Sequence, residues 1–328
     1  MNEHTRLHCE LFIENKERIK SVFGWDGGLI HLACSLIYTA KDKRADESTL
    51  QFCKELLKQK VGVFSNFRST ARSPIVSMLA VSGSPERTLD QGLEVYGLLK
   101  KDFWGSVYLP MAAMIIAQME NQNEYERIAA RTRILYERMK SEHPFLTSGE
   151  DSALCALMAL SDKSDDNLIH DAEACYRILK PNFFSGNAVQ SLSHILALCD
   201  GQAEEKCERT IILFNKLKAA GHKYGTEYEL PTLGVLAMTD GDADEIIREM
   251  IEIDAWLSAQ SGFGFFSSIS KKQRLMYAGI LAQKDFAQNG AMETAAINST
   301  ISLILAQEVA MCAAVAASAT AANNAANS

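Results

Sequence analysis

Apolar positions recur along this chain at the three- and four-residue spacing of helices. No stretch sustains alternation at period two, so the pattern predicts an all-α protein without significant sheet. The helices are of two kinds. One is amphipathic, as in Glu86-Arg87-Thr88-Leu89-Asp90-Gln91-Gly92-Leu93-Glu94-Val95-Tyr96. The other holds almost no charge, as in residues 75–80, 111–119, 153–160, 188–199 and 233–238. A helix apolar nearly all round is buried, whereas one with a single apolar stripe lies at the surface. The two kinds alternate, so the unit is an outer helix followed by an inner one.

The unit repeats about every forty residues. An aliphatic residue followed by Lys marks the end of each outer helix at Ile19-Lys20, Leu57-Lys58, Leu99-Lys100, Met139-Lys140, Leu179-Lys180 and Leu217-Lys218, with Leu257-Ser258 as a degenerate seventh mark. Successive spacings are 38, 42, 40, 40, 38 and 40 residues. After each mark comes a short turn with an aromatic residue, often beside Gly, as in Phe23-Gly24-Trp25, Gly62-Val63-Phe64, Phe103-Trp104-Gly105, Pro144-Phe145 and Phe183-Phe184-Ser185-Gly186. Gly accepts the left-handed backbone that ends a helix, and the aromatic ring can fold back over the hairpin end. A second set of stops lies out of phase, with Ser84-Pro85 and Asp242 through Glu245 reading as helix starts.

The expected fold is therefore about seven α/α-hairpin repeats over residues 1–286. Such units bury their inner faces only by stacking on neighbours. The very apolar inner helices favour a closed toroid or tightly curved superhelix. Residues 287–328 form a separate, Ala-rich C-terminal segment, expected to be one long helix packed on the repeats with a frayed end.

Composition narrows the function classes. The chain has 328 residues, of which 47% are hydrophobic and 23% charged, which excludes disorder, collagen and a small disulfide scaffold. A net charge of −8, with no basic run interleaved with aromatics, argues against nucleic acid as a partner. The eight cysteines are scattered without C-x-x-C and read as free thiols. The first residues lack the basic start and apolar core of a signal peptide, so a cytoplasmic protein is expected. Residues 301–322 are long and apolar, but Gln307 and Glu308 interrupt them and Ala dominates, which predicts no membrane span.

Several segments resemble a bacterial family known only as domain of unknown function 4003. They are Gly62-Val63-Phe64-Ser65-Asn66-Phe67-Arg68, His143-Pro144-Phe145-Leu146-Thr147, Gln190-Ser191-Leu192-Ser193-His194, Lys223-Tyr224-Gly225-Thr226 with Glu229-Leu230, and Lys271-Lys272-Gln273-Arg274-Leu275-Met276. The Ala-rich tail is similar too. The resemblance spans essentially the whole chain and implies a bacterial origin and no catalytic assignment. The repeat also resembles, more loosely, the α/α toroids of protein prenyltransferases and terpene cyclases. This chain has neither an Asp-rich cyclase motif nor a zinc triad, and a shared fold licenses no shared function.

Candidate chemistry concentrates at the turns. Counting from the marker Lys, His31 falls at +11, Arg68 at +10, Tyr108 at +8, Asp151 at +11, Gln190 at +10 and Glu229 at +11. Equivalent positions converge on one rim of a ring, and Asn187, His194, Glu227, Lys271, Lys272 and Arg274 fall nearby. Such a rim can bind a polar ligand or perform acid–base chemistry, or its members can cap helices and pair with one another. His194 lies in an apolar run, where a hydrogen-bonded core histidine is the default. His4 and His8 have helical ligand spacing, but no third ligand matches, so no metal is expected. Gly262-Phe263-Gly264 lacks phosphate-loop spacing and reads as a hairpin turn. No cofactor is expected. The leading reading is a scaffold that binds a protein partner or a small ligand. The alternative is an enzyme with its active site at the turn rim of a toroid, acting on a polar or isoprenoid-like small molecule.

Overall fold

The computed structural model describes residues 1–286 apart from residues 25, 104, 105, 240, 265 and 266. The expected Ala-rich helix of residues 287–328 lies outside the described residues, as do Trp25 and Trp104. Among the described residues there are fourteen α-helices and no strand. They are α1 (Glu3–Val22), α2 (Gly28–Thr39), α3 (Glu47–Lys60), α4 (Arg72–Val81), α5 (Pro85–Leu99), α6 (Leu109–Met119), α7 (Tyr125–Glu142), α8 (Ser152–Leu160), α9 (Asp165–Leu179), α10 (Gly186–Leu198), α11 (Ala203–Ala219), α12 (Leu230–Ala237), α13 (Ala243–Ser258) and α14 (Lys271–Phe286).

Local chemistry sets where the odd-numbered helices start. Asn2, Asp46, Ser164 and Asp242 accept backbone N–H bonds from Thr5, Thr49, Asn167 and Asp244, satisfying donors that a helix start leaves orphaned. Pro85 opens α5 after Ser84. Acidic residues follow in the first turn, such as Asp165 and Asp166 or Glu204 and Glu205, and lysines close α1, α3, α7 and α11. Both choices oppose the helix dipole favourably.

The even-numbered helices are the buried ones. Every residue of α2 after Gly28 and every residue of α12 is buried, as is all of α8 except Leu160. Each packs against the odd-numbered helix before it, so the chain runs out along one helix and back along the next. Odd-numbered helices also pack on the next odd-numbered helix, and most even-numbered ones on the next even-numbered one. One apolar cluster draws on all seven even-numbered helices, including Ile30, Ile75, Met114, Leu157, Ile195, Leu236 and Tyr277. Some of this packing is backbone-close: a Cβ at Gly234 of α12 would overlap the Leu192 methyl of α10.

The two ends of the helix layers are tied differently. At the odd-to-even turns, several bonds cross between neighbouring helix pairs. Arg72 and the Ser73 hydroxyl donate to Asp26, and Asn66 Nδ2 donates to the Ser106 carbonyl at 3.0 Å. Further along, Gln190 Nε2 donates to Thr147 Oγ1 at 2.8 Å, and Gln273 Nε2 to the Tyr228 hydroxyl at 3.3 Å. At the opposite end, cations hold the last carbonyls of the even-numbered helices. Lys43 reaches Val81, Arg131 reaches Ala159 and Ser161, Lys163 reaches Ala197 and Cys199, and Arg209 reaches Thr239. Lys206, almost wholly buried, pairs with Asp171 and donates to the Cys199 carbonyl at 3.1 Å.

The first and the last of the described helices meet. α1 packs on α14, with the Phe12 and Tyr277 rings 5.8 Å apart. Lys16 Nζ donates to the Ser261 carbonyl at 2.6 Å and stands over the Phe263 ring, Lys284 pairs with Asp42, and the N-terminal ammonium pairs with Glu249 and Glu252.

Candidate functional site

The turn between α7 and α8 and the start of α10 build one buried polar neighbourhood. The chain leaves α7 at His143, the cap residue, whose ring lies 4.3 Å from that of Tyr176 and 2.9 Å from Glu173 Oε1, both on α9. Thr147 follows, buried, and accepts from Gln190. Ser148 then opens a short 3-10 turn, Gly149–Asp151, and its N–H donates to Asp151 Oδ2 at 2.7 Å in a reciprocal cap. Ser152 begins α8 with its hydroxyl buried. Across from them, Gln190 and His194 stand four residues apart on α10, one above the other on the same helix face.

Electrostatics sets the protonation of this neighbourhood. Burial pushes the Asp151 carboxyl up to about 7, against the pull of the Ser148 N–H, which favours the carboxylate. Burial, with His143 adding to it, lowers the His194 imidazole to about 3, so that ring is neutral near pH 7. His194 Nδ1 and Ser152 Oγ are buried without a hydrogen-bond partner among the described residues. A neutral imidazole can donate or accept, an unpaired hydroxyl can do both, and a half-protonated carboxyl can exchange a proton with a small polar group.

The other sequence-predicted residues lie elsewhere. Glu229 is buried at the start of α12, and its carboxyl is raised by burial while Lys272 opposes the shift. Arg274 on α14 is engaged: its guanidinium forks onto both oxygens of Asp254 at 2.7 and 3.0 Å and donates to the Phe263 carbonyl. Arg68 ends the 3-10 turn Asn66–Arg68 and is part-exposed, while Asn187, Glu227 and Lys271 are exposed. His31 bonds the Phe23 carbonyl at 2.8 Å, inside its own turn. Gln190 thus meets the α7–α8 turn at Thr147, His194 feels the His143 ring of that turn, and Asp151 is tied to Ser148 within it, while the rest are spread around the other turns. Sequence reading missed His143, Thr147 and Ser152. Their signal was available, since His143 and Thr147 lie within the His143-Pro144-Phe145-Leu146-Thr147 turn and Ser152 follows Asp151.

Among the described residues no group of three or more His, Cys, Asp or Glu side chains is placed to hold a metal ion, and no helix is long and apolar enough to cross a membrane. The seven described cysteines are free.

Comparison with known proteins gives kinship without an activity. The chain is 24% identical over 326 residues to the Uncharacterized protein YeaA of Bacillus subtilis (strain 168), covering 96% of this chain and 94% of that protein. No solved structure matches it. The family model described as Protein of unknown function (DUF4003) matches residues 15–310, and the chain belongs to that family.

Proposed function

We propose that the helix pairs close into an α/α ring and that the ring is a cytoplasmic scaffold binding a small polar ligand, or a polar group of a partner, at the cluster around Asp151, Gln190 and His194. Closure is supported by the meeting of α1 with α14, because an open superhelix carries its first and last pairs apart. The binding reading is carried by one observation: His194 Nδ1 and Ser152 Oγ are buried with no protein partner among the described residues. Buried polar atoms are nearly always hydrogen-bonded, and a ligand group supplies what the protein leaves open here. The ligand has at least one donor or acceptor for each and is not strongly anionic, since an anion would add to the burden on the Asp151 carboxyl.

A screen of small polar metabolites by thermal shift on the full chain tests this. One chemical class raises the melting temperature of the wild type, and His194→Leu and Ser152→Ala each weaken its binding by about tenfold, the worth of a hydrogen bond in a buried site. Absence of any such class, or a shift that survives both substitutions, overturns the reading.

The enzyme reading is favoured by Asp151, whose carboxyl near 7 is suited to general acid–base work at neutral pH. The same screen separates the two. Consumption of the bound compound by the wild type, stopped by Asp151→Asn while binding persists, marks an enzyme.

A further inference from the structure

The odd-to-even turns share one end of the molecule, because they are bonded to one another across neighbouring helix pairs. Each of several turns folds an aromatic ring inward: Phe23, Phe67, Phe103, Phe183, Tyr224 and Phe263 are all buried. Three turns carry a phenylalanine that does the opposite, in two of them close to an inward one. Phe64, Phe145 and Phe184 are 101%, 98% and 94% exposed, and Val63 beside Phe64 is 71% exposed. Packing explains the inward rings and leaves the outward ones without a structural purpose, and several large apolar side chains exposed at one end mark an interaction surface.

The charge at this end is opposite to that of the chain. Lys20, Lys100, Lys140 and Lys218 close the outer helices, exposed and without an ion pair among the described residues, and Lys271 and Lys272 add to them. Lys180 sets its ammonium 3.0 Å from the Phe184 carbonyl, directly beside one protruding ring. The exposed carboxylates in the turns themselves are Asp102, Glu142 and Glu227, and Glu17, Glu55 and Glu137 just before them are each paired with a cation. The far end is richer in acids, with Glu120, Asp162, Asp200, Asp242, Asp244 and Glu245 at or beside the helix starts, and cations there such as Lys43, Lys163 and Arg209 are engaged with backbone carbonyls. A protein of net charge −8 thus presents one cationic, aromatic-tipped face.

We propose that this face docks end-on to an anionic lipid bilayer, with Phe64, Phe145 and Phe184 entering the headgroup–acyl boundary and the lysines meeting lipid headgroups. Lysines near an anionic membrane and apolar side chains buried in its interface act together in this way. The three rings stand on three separate turns, and each is almost wholly exposed. A fluid bilayer accepts separate protrusions without a matching shape, whereas a folded acidic protein or a nucleic acid strand requires one. The inference does not depend on the ligand reading, which concerns a different, buried group of residues.

Co-sedimentation of the full chain with phosphatidylcholine vesicles, with and without phosphatidylglycerol, tests it. The wild type binds the phosphatidylglycerol vesicles, is released by high salt, and ignores pure phosphatidylcholine. Phe64→Ser, Phe145→Ser and Phe184→Ser together lower the vesicle-bound partition coefficient by about tenfold or more. The circular dichroism and melting temperature are unchanged, because these side chains touch almost nothing. Lys100→Glu with Lys140→Glu lowers it as well. Wild-type protein that fails to bind phosphatidylglycerol vesicles overturns the proposal. So does a triple phenylalanine variant that binds as the wild type does, which would place the contact elsewhere in the chain. Binding of a single-stranded oligonucleotide in place of vesicles, lost in the same variants, assigns the face to nucleic acid and likewise overturns it.

Discussion

Asp151 and His194 are two buried groups whose titrations oppose each other. A carboxyl that titrates near 7 in the folded protein and near 3.8 when unfolded keeps an extra proton in the folded state between those values. Its contribution to stability is full below about pH 4 and is lost as pH rises through 7. His194 does the reverse. Its imidazole is lowered from 6.5 to about 3, so the unfolded chain takes up the proton in that range and stability rises with pH across it. The two slopes largely cancel between about pH 4 and 6.5. Asp151→Asn removes one of them. Relative to the wild type, this variant gains stability with rising pH by about 1.4 kcal/mol per pH unit across the window from 4 to 7. Urea denaturation of both proteins at pH 5 and pH 8 measures the difference, and an equal difference at the two values refutes it. Sequence offsets from the marker lysines brought out Asp151 and Gln190, because polar residues are conspicuous at the start of an apolar helix, and His194 stood out as a histidine in an apolar run. They could not show that Arg274 is held by Asp254, twenty residues away on the preceding helix, nor that the hydroxyl of Ser152 lacks a partner among the described residues. Pairing between helices depends on side-chain direction, which the pattern of residue types does not contain.

Helix identity and order were legible because they rest on local chemistry: an apolar stripe or an apolar cylinder, a cap, a turn. The marker pairs fall in the last turn of α1, α3, α7 and α11 and at the ends of α5 and α9. What the pattern concealed is how the buried helices end. Lys and Arg on an amphipathic helix read as solvated charges, yet Arg131 donates to the carbonyls of Ala159 and Ser161 at 2.9 and 2.6 Å and to Asp165 at 2.7 Å. These carbonyls belong to the end of α8, where a cation both satisfies orphaned acceptors and meets the negative pole of the dipole. Arg131→Met leaves them, and the part-buried Asp165, without that partner. The expected cost is about 2–4 kcal/mol, since several charge-assisted bonds are lost together. The urea midpoint of the full chain reads it, and a change below about 0.5 kcal/mol, the ordinary size for a surface substitution, would return Arg131 to the solvated class.

At the scale of the whole molecule, the sequence left the choice between a ring and a curved superhelix open. The choice depends on a small rotation per pair summed over seven pairs, and no single spacing records it. In the proposed ring, Phe12 against Tyr277 is part of the seam between first and last pairs. Phe12→Ala costs about 3–5 kcal/mol, as for a fully buried ring. Closure makes the loss global: hydrogen exchange should show α1 and α14 opening together with the central helices in one transition. Exchange of α14 alone, with α5 to α10 still protected, would instead describe an open array fraying from its end. The excess of unpaired exposed lysines at the turn end, and of exposed acids at the opposite end, has a physical consequence of its own. It gives the molecule a permanent electric moment along its long helices, so a charged surface exerts a torque on it before contact and turns it end-on during diffusion. A chain that is acidic in sum should therefore be held by a cation exchanger at low salt, and leave it as the Debye length shrinks below the height of the protein.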